Sequence, residues 1–304
     1  MLHLTQNVKV TARIILLDPR GFHLPYLEWM VTTSCDLACP GCDRFIDYNH
    51  SWHEDLQELK SNMFEWGSRL DPDNFTIIGG EPLIHPGIYD IIKHSRHCFD
   101  HARIEIYSNG FFLPKRDKLL DILLENQPAK ISITLHNRDT AIRQKIEDNI
   151  RKYIIKDLPW VEEENHIWRY QDVELEVSDP TQGGWYDYRQ NLNGVLKPWN
   201  DRDAESSYHN CSANIYPIIY KNKLYKCPPI SMLRTHAEKY NMLDDKDWEP
   251  YLKYEGLDVN CSEYELNGFI NNIFHPHPIC EMCPANPNLK PQEDAILKGK
   301  IHEV

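Results

Sequence analysis

The chain has 304 residues, 41% of them hydrophobic and 26% charged, with a formal net charge of −13. That length and composition support one large domain, or a medium domain plus a small one. The acidic balance excludes a broad nucleic-acid or anionic-membrane surface, because phosphate binding rests on Lys and Arg, and no apolar run is long enough to span a membrane.

Val8–Leu17 alternates in part and reads as a lead-in strand or hairpin, closed by the turn Asp18-Pro19-Arg20-Gly21. Tyr26–Thr33 is the first strand of the main sheet. Trp52–Leu70 carries Leu56, Leu59, Met63, Phe64 and Trp66 at near-helical spacing. Asn74–Ile78 is a short buried strand that runs into Gly79-Gly80-Glu81-Pro82. Pro86–Cys98 reads as a helix, Ala102–Tyr107 as a strand, Lys115–Glu125 as a helix, and Ala129–Leu135 as a strand. Thr140–Ile155 is a long amphipathic helix, and Val173–Val177 a fifth strand. Such alternation implies a parallel sheet with right-handed crossovers, whose ligands bind at the carboxyl ends of the strands. The cysteine-rich loop after the first strand, Gly79-Gly80-Glu81, Ser108-Asn109-Gly110 and Thr134–Asn137 all fall at those ends, which favours a partial or complete (β/α) barrel with one site. Past Pro180 the chain reads as a connection, then a hairpin from Cys211, then irregular structure. The polar end, Asn286–Val304, either covers the barrel or stays loose.

Nine cysteines dominate the chemistry. The N-terminal Met1–Gln6 lacks a signal-peptide pattern, so the expected compartment is the cytoplasm, where thiols stay reduced and bind metal rather than form disulfides. Cys35, Cys39 and Cys42 form C-x3-C-x2-C directly after the first strand. Thiolates hold zinc or iron–sulfur clusters. A structural zinc site is closed by four protein ligands, whereas three thiolates leave a position open. The spacing therefore favours a cluster with one iron free. A second set, Cys211, Cys227, Cys280 and Cys283, has the spacing C-x15-C, a long gap, then C-x2-C, and suits either zinc or a cluster.

The triplet after a first barrel strand, followed one strand later by Gly79-Gly80-Glu81-Pro82, resembles the signature of the radical S-adenosylmethionine (radical SAM) enzymes. The resemblance implies a partial (β/α)6 TIM-like α/β barrel, with a 4Fe–4S cluster on Cys35, Cys39 and Cys42 whose free iron chelates SAM. Reductive cleavage of SAM then yields a 5′-deoxyadenosyl radical. Gly79, Gly80 and Glu81 correspond to the segment that binds the SAM amino group, and Ser108, Asn109 and Thr134 to strand-end residues at the same cofactor. In relatives the residue before the third cysteine is often aromatic and lies near the adenine; here it is Gly41. The second cysteine set is similar to the twitch subdomain, a shortened SPASM-like extension, and implies an auxiliary 4Fe–4S cluster. Asn222 stands where that extension usually has glycine, a mild change because Asn tolerates a left-handed turn. The implied organisation is a barrel with lead-in strands over 1–200 and a small hairpin and irregular auxiliary-cluster subdomain over 201–304.

The expected activity is hydrogen abstraction from a small polar substrate (sugar, cyclitol, aminoglycoside or nucleotide), leading to oxidation or epimerisation. The electron comes from a flavodoxin or ferredoxin-type donor. Cys261 is a bystander, a substitute cluster ligand or a candidate hydrogen donor for epimerisation, and Cys98 reads as a buried structural thiol. His136 is either a substrate contact or a polar barrel residue. Trp160, Trp168, Trp185, Tyr186 and Tyr188 read first as packing and second as cavity wall. Two other functions compete. A radical SAM maturase of a ribosomal peptide is disfavoured by a lead-in too short for a leader-binding domain. A non-catalytic zinc-binding scaffold would use the same cysteines, with His275 and His277 as further ligands.

Overall fold

Period-two alternation explains the sheet. A computed structural model describes residues 21–298; the expected lead-in at Val8–Leu17 and its turn through Asp18–Arg20 lie outside them. Strands β1 (Phe22–Thr32), β2 (Leu70–Gly79), β3 (Arg103–Ser108), β4 (Ala129–Thr134) and β5 (Val173–Ser178) run parallel in that order. On one face Trp29, Phe75, Ile77, Ile104, Ile106, Ile131 and Ile133 are fully buried in the main core. Over that core lie α1 (Leu56–Gly67), α2 (Ile88–Cys98), α3 (Leu119–Glu125) and α4 (Thr140–Ile150). The other face carries Glu28, Thr76, Glu105 and Ser132, aligned across the strands by the registers Glu28↔Thr76 and Thr76↔Glu105. Buried charges need partners. Arg44 meets Glu28 at 2.6 Å, Arg103 meets Glu105 at 2.6 Å, and Lys130 meets Glu176 at 2.8 Å.

A sixth parallel strand, β6 (Ile218–Tyr220), comes from far along the chain and pairs with β1, not with β5. It turns at Lys221 and Asn222, with φ of 50° and 58°, into the antiparallel β7 (Lys223–Tyr225). A hairpin at Val161–Glu164 and Ile167–Tyr170 extends the opposite edge, so the ten-stranded sheet is an open partial barrel. The expected segments 1–200 and 201–304 thus share one sheet.

The stretch after the hairpin departs from the irregular chain expected there. Residues Pro228–Lys239 form α5, and Glu263–Ile273 form α6. Two prolines open α5, at positions where a missing N–H costs nothing. α6 starts at a reciprocal capping box between Ser262 and Glu265 and buries Leu266, Ile270 and Ile273. The helix expected over Thr140–Ile155 ends at Ile150, and a π turn follows over Arg151–Ile155. The C-terminal segment covers the barrel. Its Ile296 and Leu297 pair antiparallel with Ala38 and Leu37 inside the cysteine loop.

The cysteine loop also docks on α5 through two buried histidines. His50 Nε2 and His236 Nδ1 lie 3.3 Å apart, so one ring donates and the other must be neutral to accept. Burial, then neighbouring positive groups, lower His50 to about 4 and His236 to about 3. With folded-state values below the free value of about 6.5, the unfolded chain takes up protons first. Their contribution is therefore intact above about pH 6.5 and lost as pH falls toward 4. The thermal midpoint is expected to drop between pH 7 and 5, and a His236→Phe variant to flatten that drop, as read by scanning fluorimetry.

Candidate functional site

A cavity of about 490 Å³ opens at the carboxyl ends of the parallel strands. Cys35, Cys39 and Cys42 line it, together with Gly79, Gly80, Ser108, Asn109 and Thr134. The residues nominated at four separate strand ends therefore share one space. The two glycines earn their place through chain packing as much as through any ligand. A Cβ on Gly79 would sit 2.3 Å from the Thr32 carbonyl oxygen, and one on Gly80 would sit 2.4 Å from that of Ser34. Their absence lets the end of β2 lie directly against the chain entering the cysteine loop, where Gly80 N and Glu81 N donate to Thr32 O and Ser34 O at 2.9 Å each.

Glu81 does not line the cavity; it is buried behind it. Its carboxylate accepts from Leu83 N at 3.0 Å, Ser108 Oγ at 2.9 Å and Asn109 N at 2.7 Å. Burial and then the nearby Asp36 push its pKa up to about 8. Asn109 passes the network on, donating from Nδ2 to Asp36 Oδ1 at 2.6 Å. Among the described residues the other, buried Asp36 oxygen has no hydrogen-bond partner. Burial also holds the three thiols neutral: Cys42, with Asp43 and Asp47 close by, is pushed up to about 11, and Cys35 and Cys39 go up as well. A cationic metal centre is what would ionise them and offset Asp36. Donor type and electrostatics thus fit a thiolate-held iron–sulfur cluster.

Further side chains shape the cavity around the cysteine loop. Gly41 has a φ of +74°, and a Cβ there would meet Asp187 Oδ1 at 2.7 Å and Trp185 Nε1 at 3.3 Å. Trp185 closes the cavity beside it and donates from Nε1 to Pro40 O at 3.2 Å. Tyr188 lines the cavity too, whereas Tyr186 is buried beside it. Arg189, 6% exposed, donates to Cys42 O at 2.6 Å and grips both oxygens of Asp47 at 2.9 and 3.1 Å. His136 lines the cavity and is discussed below with its partner Gln292.

Cys211, Cys227, Cys280 and Cys283 line a second, smaller cavity with Tyr208, Pro229, Ile279 and Met282. Burial raises all four thiols. Lys226 lies against the same cavity, its Nζ anchored by the carbonyls of Asn272, Ile273 and His275 at 2.7–3.0 Å. Tyr188 reaches toward this set, its hydroxyl 2.8 Å from Ser212 Oγ next to Cys211. Among the described residues, no three His, Cys, Asp or Glu side chains are grouped closely enough to hold a single metal ion.

Two candidates lie elsewhere. Cys261 sits beside Arg69, whose Nη1 is 3.4 Å from its sulfur and whose Nη2 donates to its carbonyl at 2.7 Å. Arg69 precedes β2, and the cavity lies at the far end of that strand, about 30 Å away along ten residues. The geometry does not bring Cys261 to the cavity. Cys98 packs against the main core with its sulfur 3.4 Å from His94 Nε2. His277 caps the short turn that carries Cys280, accepting from Ile279 N.

Residues 29–157 match the Radical SAM superfamily. Over 102 residues the chain is 28% identical to the GTP 3',8-cyclase of Petrotoga mobilis, covering 33% of this chain and 32% of that protein. Over 146 residues it is 25% identical to the GTP 3',8-cyclase of Chlorobaculum tepidum, covering 48% of this chain and 42% of that one. The chain thus spans about a third to two fifths of the length of these relatives. Among solved structures, BtrN in complex with AdoMet and 2-DOIA aligns over 86% of this chain and 92% of its own, at 16% identity and a TM-score of 0.49. Among the described residues no helix is long and apolar enough to cross a membrane. The cysteine triplet, the glycine pair behind it and the match over residues 29–157 agree, and residues 29–157 belong to the radical SAM superfamily.

Proposed function

We propose that this protein is a cytoplasmic radical SAM oxidoreductase acting on a small polar substrate. The single observation that carries the reading is the convergence of Cys35, Cys39 and Cys42 with Gly79, Gly80, Ser108, Asn109 and Thr134 around one cavity. Cys35, Cys39 and Cys42 would hold the 4Fe–4S cluster, and the strand-end residues would bind S-adenosylmethionine. When bound, that pair supplies reductive cleavage to a 5′-deoxyadenosyl radical, fed by a flavodoxin or ferredoxin-type donor. Glu81 fixes the turn by gathering three donors, and Trp185 offers the adenine an aromatic face where Gly41 has none. Cys211, Cys227, Cys280 and Cys283 would hold an auxiliary cluster in a twitch-like subdomain within 201–304, an electron acceptor for oxidation. Their shared cavity beside Tyr188 supports that role. Epimerisation through Cys261 loses its support, since that thiol lies at the opposite end of the strands.

The cavity also bears on the substrate. Its one arginine, Arg44, is already paired with Glu28 and Asp43, and Asp179 is held by Arg143. Among the described residues no lining arginine or lysine is left unpaired for a triphosphate, so a neutral or cationic hydroxylated molecule suits the cavity better. A second reading, rearrangement of a nucleotide, draws its support from the cyclases named above.

The test is anaerobic. Reconstituted protein with dithionite and SAM is expected to release 5′-deoxyadenosine, and a Cys39→Ala variant to fall to background. A colourless protein that keeps zinc through reconstitution and leaves SAM intact would overturn the reading in favour of a scaffold.

A further inference from the structure

The C-terminal segment brings one side chain into the cysteine loop that nothing in the motifs points to. Gln292 is 0% exposed, although it belongs to a polar stretch near the end of the chain. The segment is seated along its length: Gln292 N donates to Pro180 O at 2.9 Å, Ala295 N to His136 O at 2.8 Å, and Lys298 N to Asp36 O at 2.8 Å. Between these points Ile296 and Leu297 pair with the cysteine loop itself. The Gln292 amide is oriented by His136, whose Nδ1 lies 2.9 Å from its Oε1. With the oxygen accepting from the imidazole N–H, the amide nitrogen must face the other way. Among the described residues that buried Nε2 has no hydrogen-bond partner. An amide donor left unsatisfied in the interior costs about 1–3 kcal/mol, so a site that keeps one normally has an acceptor in its working state. Cys39 and His136 line the same cavity, and Ile296 pairs with Ala38, the neighbour of Cys39, so the amide lies beside the Cys39 side chain.

We infer that Gln292 is a positioning residue of the cluster site: aimed by His136, its amide N–H donates to the Cys39 sulfur when that sulfur is a metal-bound thiolate. The inference rests on the reading that Cys35, Cys39 and Cys42 hold a cluster. A hydrogen bond to a ligating sulfur stabilises the more negative, reduced state and raises the reduction potential. His136 thereby acquires a role as the orienting group, and the C-terminal segment becomes part of the electron-accepting site.

The experiment is an EPR-monitored redox titration of the anaerobic holoprotein, following the signal that SAM perturbs. Gln292→Met keeps the shape and removes the donor; its midpoint potential is expected to be more negative than that of the wild type, with iron content unchanged. His136→Phe, which leaves the amide unaimed, is expected to shift the same way by less. An unchanged potential in Gln292→Met overturns the inference. So does a shift accompanied by proteolytic cleavage within residues 285–298 that the wild type resists, since the effect then belongs to the unseated segment. A wild type that shows no SAM-perturbed signal defeats the cluster reading itself, a separate outcome.

Discussion

Replacing Cys35, Cys39 and Cys42 together with alanine is expected to halve the iron and sulfide of the anaerobically purified protein, from about eight of each per chain to about four. SAM cleavage should disappear with them. The complementary variant, with alanine at Cys211, Cys227, Cys280 and Cys283, should also keep about half the iron. It should still cleave SAM in the absence of substrate while losing turnover of substrate. The reason to expect separable losses is spatial. Each set lines its own cavity, and no cysteine is common to both. The reason to expect some cross-effect is that Cys35, Cys42, Cys211 and Cys227 pack against one further buried cluster, which includes Phe45, Ile46, Tyr186, Tyr188 and Cys283. Iron and sulfide by colorimetric assay, zinc by mass spectrometry and 5′-deoxyadenosine by chromatography decide the matter. Retention of all the metal in the first variant would remove Cys35, Cys39 and Cys42 from the site. Zinc in the second cavity would leave a radical SAM enzyme without an internal electron acceptor, and the oxidation reading would fall.

The parts of this architecture that were legible in the chain are the ones whose signal is local. β1 through β4 show period-two alternation between Trp29, Ile77, Ile106 and Ile133 on one face and Glu28, Thr76, Glu105 and Ser132 on the other. The three cysteines of the loop lie within eight residues of one another, and Gly79-Gly80 follows a strand. β6 was not placed beside β1 because a parallel partner from residues 218–220 leaves no mark on either strand. α5 and α6 were hidden by paired prolines and an asparagine-rich surface, although Ser262 and Glu265 carry a readable capping box. Cys261 shows the converse case, where nearness in sequence does not carry over to the fold. It lies between auxiliary cysteines in sequence, and the connection through Leu257–Asp258 carries it to the opposite end of the strands. Trp185, Arg189 and Gln292 each reach the cysteine loop from a distant, motif-free stretch, so only the folded chain reveals them.

Of those three, Arg189 carries the largest expected effect on stability. Its guanidinium lies 4.2 Å over the Phe45 ring, donates to the Cys42 carbonyl, and binds Asp47 through both carboxylate oxygens. Asp47 is itself buried enough that its pKa is raised even with this partner present. Arg189→Met removes the cation, leaves the carboxylate without its guanidinium and leaves the Cys42 carbonyl with only the Phe45 N–H. Breaking a buried pair from one side costs about 3–5 kcal/mol, because an uncompensated charge stays behind. The variant should therefore unfold at lower denaturant concentration by that amount and release iron from the loop during purification. Adding Asp47→Asn should recover part of the loss, since the stranded charge is then gone, and the double-mutant cycle isolates the pair. Arg189→Lys should fall between, because an ammonium cannot grip both oxygens and stack on Phe45 at once. Equilibrium denaturation followed by circular dichroism, with iron content measured on the same samples, reads both consequences. A change of less than about 0.5 kcal/mol in Arg189→Met would match an ordinary surface substitution. The cysteine loop would then be held by the metal and the C-terminal segment rather than by this clamp.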